Sequence, residues 1–87
     1  MIEIDDYRKK IDTIDDGIIE LIARRMALTR RIEQYKRQNS MPVVDAGRER
    51  EIYERAEQKA RDYGLSNTQF IRDIFRLIIG EGRREQR

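Results

Sequence analysis

The sequence predicts an all-α chain of three helices, long, medium and medium, and three observations carry that prediction. Apolar residues recur three and four apart from Ile4 to Tyr35, the spacing of one helical face. The single proline, Pro42, follows Asn39 and Ser40 in one cluster of turn residues. Gly64 then separates a sparse apolar stripe from the densest one in the chain.

The first helix is predicted over Asp5 through Arg37. Ile4, Ile11, Ile18 and Ile32 share one heptad position, and Tyr7, Ile14, Leu21, Leu28 and Tyr35 share the other. Asp5 and Asp6 in the opening turn and Lys36 and Arg37 in the last both suit the helix dipole. Gly17 is the one weak residue, costing about 1 kcal/mol relative to alanine. Such a rod is about 48 Å long, more than a lone small domain covers. A second copy of the chain is the simplest partner for it.

The heptad slot between Ile18 and Ile32 belongs to Arg25. An arginine on an apolar seam is either desolvated at a cost of several kcal/mol or meets an anion there, and the second reading is taken here. Eleven residues on, Lys36 returns to within about 20° of the same direction, about 16 Å along the axis, so the two side chains can close on one small dianion. Arg8 lies about 25 Å the other way and roughly 100° round the helix. It can serve only the site of a second chain. Arg24, Arg30 and Arg31 are placed on the solvated face.

Gln38 to Val44 reads as a loop, and Asp45 as the N-cap of a second helix running to about Tyr63. Its stripe is narrow, Ile52, Ala56, Ala60 and Tyr63, and Gly64 ends it in a left-handed cap. For the third helix, Ser66 and Gln69 read as a capping box, with Leu65 and Phe70 as a hydrophobic staple. Phe70, Ile71, Ile74, Phe75, Leu77, Ile78 and Ile79 follow as its apolar face. Gly80 and Gly82 weaken the helix, and Arg83 to Arg87 are expected to fray unless held.

No repeat or internal boundary is visible, so residues 1–87 read as a single domain. With 38% apolar and 41% charged residues the core of one chain is thin, which again favours self-association. Nineteen basic and seventeen acidic residues are well mixed, unlike a nucleic-acid binder. Cysteine and histidine are both absent, which removes disulfides, ordinary zinc sites, thiol nucleophiles and histidine triads. With no apolar run long enough for a bilayer or a signal peptide, no membrane partner is expected and the cytoplasm is the expected compartment.

Taken in order, Arg8, Ile11, Ile14 with Asp15, Ala23, Arg24, Arg25, Lys36, Pro42, Val43, Asp45, Arg48, Glu49, Phe75, Ile78, Ile79 and Gln86 resemble the all-helical chorismate mutase family over nearly the whole chain. The resemblance implies an intertwined homodimer, a six-helix bundle with two sites built from both chains. It implies the rearrangement of chorismate to prephenate, in aromatic amino acid biosynthesis, with no cofactor and no metal. Position by position, Arg25 and Lys36 of one chain and Arg8 of the other would grip the two carboxylates. Lys36 and Gln86 would flank the breaking ether oxygen. Glu49 would accept from the ring hydroxyl, with Asp45 near it and Arg48 beside the carboxylates, while Ile32 and Ile79 would wall the site. Gly82 stands where relatives often place a serine that contacts the ring carboxylate.

Two other readings stay open. An isochorismate pyruvate lyase on the same scaffold would bind a similar dianion, although the lyases tend to carry an apolar residue where Glu49 stands. A non-enzymatic helical dimer would use Arg24, Arg30, Arg31 and Arg37 as a binding face, and the mixed charge argues against it.

Overall fold

The computed structural model describes residues 3–85, in three helices: α1 (Glu3–Gln38), α2 (Ala46–Asp62) and α3 (Thr68–Glu85). The expected order and relative lengths hold, with α1 beginning two residues earlier and ending one later than its periodicity suggested.

Helix α1 stops where a reversed turn takes over its last carbonyls. Ser40 enters the left-handed region (φ 53°), so that its N–H donates to the Arg37 carbonyl at 3.4 Å and the Met41 N–H to the Lys36 carbonyl at 2.8 Å. The same device ends α2 at Gly64 (φ 80°), with N–H bonds from Gly64 to Arg61 at 2.9 Å and from Leu65 to Ala60 at 2.8 Å. At the start of α2, the Asp45 carboxylate accepts from the Arg48 N–H at 3.0 Å, as an N-cap should.

The start of α3 departs from the capping box read in the sequence. Asn67, not Ser66, accepts from the Phe70 N–H, at 3.0 Å, and Gln69 donates outward to Asp73 at 2.9 Å. Asparagine and serine cap about equally well, so nothing in local chemistry holds the cap at Ser66. With the frame moved by one residue, Leu65 lines a groove with Ile71 and Phe75, and Phe70, its expected staple partner, is 57% exposed. Asn67→Ala is expected to cost about 1 kcal/mol in a denaturant titration, and Ser66→Ala no more than about 0.5 kcal/mol. The reverse ranking would restore the Ser66 frame.

The end of α3 also differs: the helix continues through Arg83, where fraying was expected, to Glu85. Two interhelical ion pairs hold it, Arg83 with Glu49 of α2, and Glu85 with Arg30 of α1 at 3.2 Å. Arg30 is therefore not merely solvated. Gly82 is buried, and a Cβ there would meet Thr29 Cγ2 at 3.4 Å, so the missing side chain lets α3 lie close to α1. Gln86 and Arg87 lie outside the described residues.

Helices α2 and α3 form the close pair, tied on their outer side by Arg72, which donates to Glu57 at 2.7 Å and lies 4.4 Å from the Tyr53 ring centre. Helix α3 also meets α1, whereas no Cα of α1 comes within 8 Å of a Cα of α2. The enclosed apolar core is correspondingly small: Met26, Ala56 and Ala60. Along α1 every residue from Glu3 to Arg24 except Gly17 is exposed, and the seam residues Ile4, Tyr7, Ile11, Ile14, Ile18 and Leu21 are 50–65% exposed. The first half of the rod thus has no packing partner among the described residues, and it stretches the molecule to 60 Å. Among the described residues, no helix is long and apolar enough to cross a membrane.

Candidate active site

Because α1 and α2 stand apart, the last third of α1, the first turns of α2 and the end of α3 enclose a cleft of about 250 Å³. One stripe of α1 supplies Arg25, Leu28, Thr29, Ile32, Glu33 and Lys36, four or fewer residues apart as a helical face requires. Val43 and Asp45 come from the connection, Arg48, Glu49 and Ile52 from α2, and Ile79, Gly82 and Arg83 from α3. Of the residues singled out in the sequence, the cleft gathers Arg25, Ile32, Lys36, Asp45, Arg48, Glu49, Ile79 and Gly82. Arg8 is elsewhere, on the uncovered half of α1 and loosely paired with Asp5 at 3.8 Å. Gln86 lies outside the described residues.

The Arg25 guanidinium is partly buried. Burial first, and then the positive charge of Arg48, lowers its pKa from the ordinary guanidinium value. The group remains charged at any ordinary pH, so the site holds a cation that its surroundings do not neutralise. An anion in the cleft would relieve both penalties.

Lys36 is positioned by its own loop, its Nζ donating to the Val43 carbonyl at 3.0 Å. An ammonium has three protons, so two remain for a ligand. Arg48 meets Glu51 at 3.3 Å in an exposed pair one turn apart, a contact worth a few tenths of a kcal/mol that a ligand easily replaces. One Asp45 oxygen is spent on the cap, which satisfies its structural explanation.

Two cleft residues went unread in the sequence. Glu33 is buried at 7% exposure and makes no hydrogen bond to a described residue. Its position eight after Arg25 and four after Thr29 puts it on the cleft stripe, beside the seam position Ile32, a signal obscured because the heptad frame tracked the apolar residues alone. Arg83 follows Ile79 by one turn and pairs with Glu49. Spacing from Ile79 was the available signal, and the expectation of a frayed tail hid it.

Four cations, three acids and the apolar walls Ile32 and Ile79 thus meet around one small space. Its hydroxyl group, on Thr29, already donates to the Arg25 carbonyl at 3.0 Å. That hydroxyl is therefore not poised as a nucleophile, and what the charged lining is arranged to do is bind, orient and stabilise charge.

Comparison with known proteins finds a family and individual relatives. The family described as chorismate mutase type II matches residues 7–87. A chorismate mutase from Methanocaldococcus jannaschii is 35% identical over 74 residues, 85% of this chain and 74% of that protein. A 4-amino-4-deoxychorismate mutase from Streptomyces venezuelae is 30% identical over 79 residues, 91% of this chain and 76% of that protein. A bifunctional chorismate mutase/prephenate dehydratase from Buchnera aphidicola is 35% identical over 75 residues, 86% of this chain but 19% of that longer protein. No solved structure matches.

Proposed function

The chain belongs to the chorismate mutase type II family and is a chorismate mutase, an isomerase, and we propose that it converts chorismate to prephenate in this cleft by gripping the substrate's two carboxylates and folding it into its reactive shape. Arg25 and Lys36 hold the carboxylates from one chain, with Arg48 beside them. Lys36 also donates to the ether oxygen, where negative charge develops as its bond to carbon breaks, and Gln86 shares that task with an amide that needs no proton to donate. Glu49 accepts from the ring hydroxyl, and Asp45 lies next to it. Ile32 and Ile79 form the walls, and Gly82 leaves room for the ring carboxylate. No proton transfer or covalent intermediate enters the reaction, and a millionfold acceleration asks for about 8 kcal/mol. Three or four charge-assisted hydrogen bonds at roughly 1.5–3 kcal/mol each supply it.

The observation that carries this reading is the convergence of Arg25, Lys36, Arg48 and Glu49 from two helices on one cleft with apolar walls. Product analysis tests it. Chorismate should yield prephenate, whereas pyruvate released from isochorismate would make the protein a lyase instead.

The active form proposed is an intertwined homodimer, a six-helix bundle. The uncovered seam supports it. Six seam residues per chain at roughly 1–2 kcal/mol each, counting only what is still exposed, give on the order of 12–24 kcal/mol for a two-fold pair, against an association cost of about 4–15 kcal/mol. A second observation agrees. A groove of about 470 Å³, lined by Ile52, Ala56, Ala60, Ile71 and Phe75, shares Arg25 and Arg48 with the cleft and offers an apolar surface to a second helix. A second α1 lying there is the arrangement that lets Arg8 of the partner subunit reach the substrate. Sedimentation at working concentration checks this, and a lone folded chain that is active would refute it.

A further inference from the structure

We propose that Arg83 is a specificity-determining residue: by pairing with Glu49 it sets the cleft to accept a neutral donor, a hydroxyl, on the substrate ring and to reject an ammonium at the same place. The inference rests on the reading of the cleft given above, and it assigns a role to a residue that reading does not use.

The geometry begins with placement. Glu49 is in the first turn of α2 and Arg83 in the last turn of α3, and both line the cleft. Arg83 Nη2 donates to Glu49 Oε2, while Oε1 makes no hydrogen bond to another described residue. The Glu49 side chain is only 23% exposed, so the pair is screened less than a surface pair.

Charge then decides what the carboxylate can recognise. Alone, Glu49 would be an anion at one end of the cleft and would attract a cation. Joined to a guanidinium, it contributes little net charge, yet its second oxygen still has lone pairs for a hydroxyl proton. An ammonium arriving there meets Arg83, and behind it Arg48, Arg25 and Lys36. Of the other acids in the cleft, Asp45 is engaged in its helix cap and Glu33 lies on the α1 side.

The two substrates that would be told apart differ at one atom. 4-Amino-4-deoxychorismate carries an amine in place of the ring hydroxyl of chorismate, and a primary aliphatic amine is largely cationic at neutral pH. Arg83 acts through Glu49 and through the field it casts, without touching the bonds that break and form.

The test is the ratio of kcat/KM for chorismate to that for 4-amino-4-deoxychorismate. The unmodified protein should favour chorismate by about a hundredfold or more. Arg83→Met should shrink that ratio at least about tenfold, roughly 1.4 kcal/mol of discrimination. Arg83→Lys should keep most of it, and in a Glu49→Gln background Arg83→Met should shrink it by clearly less than in the unmodified protein, leaving only the direct repulsion by the guanidinium. Equal losses on both substrates in Arg83→Met would leave Arg83 a purely structural tie and overturn the proposal. Should that variant not fold, the unmodified protein still decides, because similar turnover of both substrates also overturns it. Failure of the unmodified protein to form prephenate would sink the assigned activity as well, whereas normal prephenate formation with an unchanged ratio sinks the role of Arg83 alone.

Discussion

Arg25→Ala is expected to lower kcat/KM for chorismate by about a thousandfold while leaving the melting temperature of the free protein unchanged or raised. The two effects have one source. The guanidinium is partly buried beside Arg48, and among the described residues no acid is bonded to it, so the fold bears the cost of a charge that a bound anion would relieve. The sign is fixed by the direction of the shift: a base whose pKa is lowered on folding costs stability wherever it is protonated. Since a guanidinium stays protonated throughout the neutral range, that cost is constant there and produces no pH dependence. Steady-state kinetics and thermal melting on the same sample check both halves. Activity within tenfold of the unmodified protein, or a loss traced to unfolding, would contradict the assignment.

Mixing Arg8→Ala with Arg25→Ala chains is expected to restore activity that neither has alone. With random pairing about half of the dimers carry one chain of each kind, and each of these has one site with both arginines, so about a quarter of all sites should work. The separation along α1 makes the result sharp. Arg8 and Arg25 are seventeen residues apart on a straight helix, about 25 Å, and they cannot serve one ligand from one chain. Chains co-refolded from denaturant and assayed against each parent give the answer, and no recovery would rule out sharing.

Much of this was legible in the sequence because it depended on helical period. Arg25 and Lys36 recur on one face whatever the rest of the chain does, and Asp45, Gly64 and the Asn39–Ser40 turn act through their nearest neighbours. Asn67 was misread for the opposite reason. Ser66 and Asn67 are equivalent caps, and tertiary packing of Leu65 with Ile71 and Phe75 is what distinguishes them. Arg83 escaped because its helix turn is held by Glu49 and by the Arg30–Glu85 pair, partners thirty-four and fifty-five residues away that no local pattern encodes. Glu33 was hidden because the heptad frame marked the apolar Leu28 and Ile32 of the cleft stripe and passed over the acid beside them.

Lys36 carries a further consequence. Its carbonyl accepts from the Met41 N–H and its ammonium donates to the Val43 carbonyl, so backbone and side chain of one residue both anchor the strap leading to α2. Since α1 and α2 have no direct backbone approach, that strap helps decide where Asp45, Arg48 and Glu49 stand. Natural variation at position 36 is thereby trapped between two selections: a replacement that retunes substrate affinity also unmoors the neighbouring wall. New specificities in this scaffold should accordingly arise from α3, where one side chain can change without moving the rest.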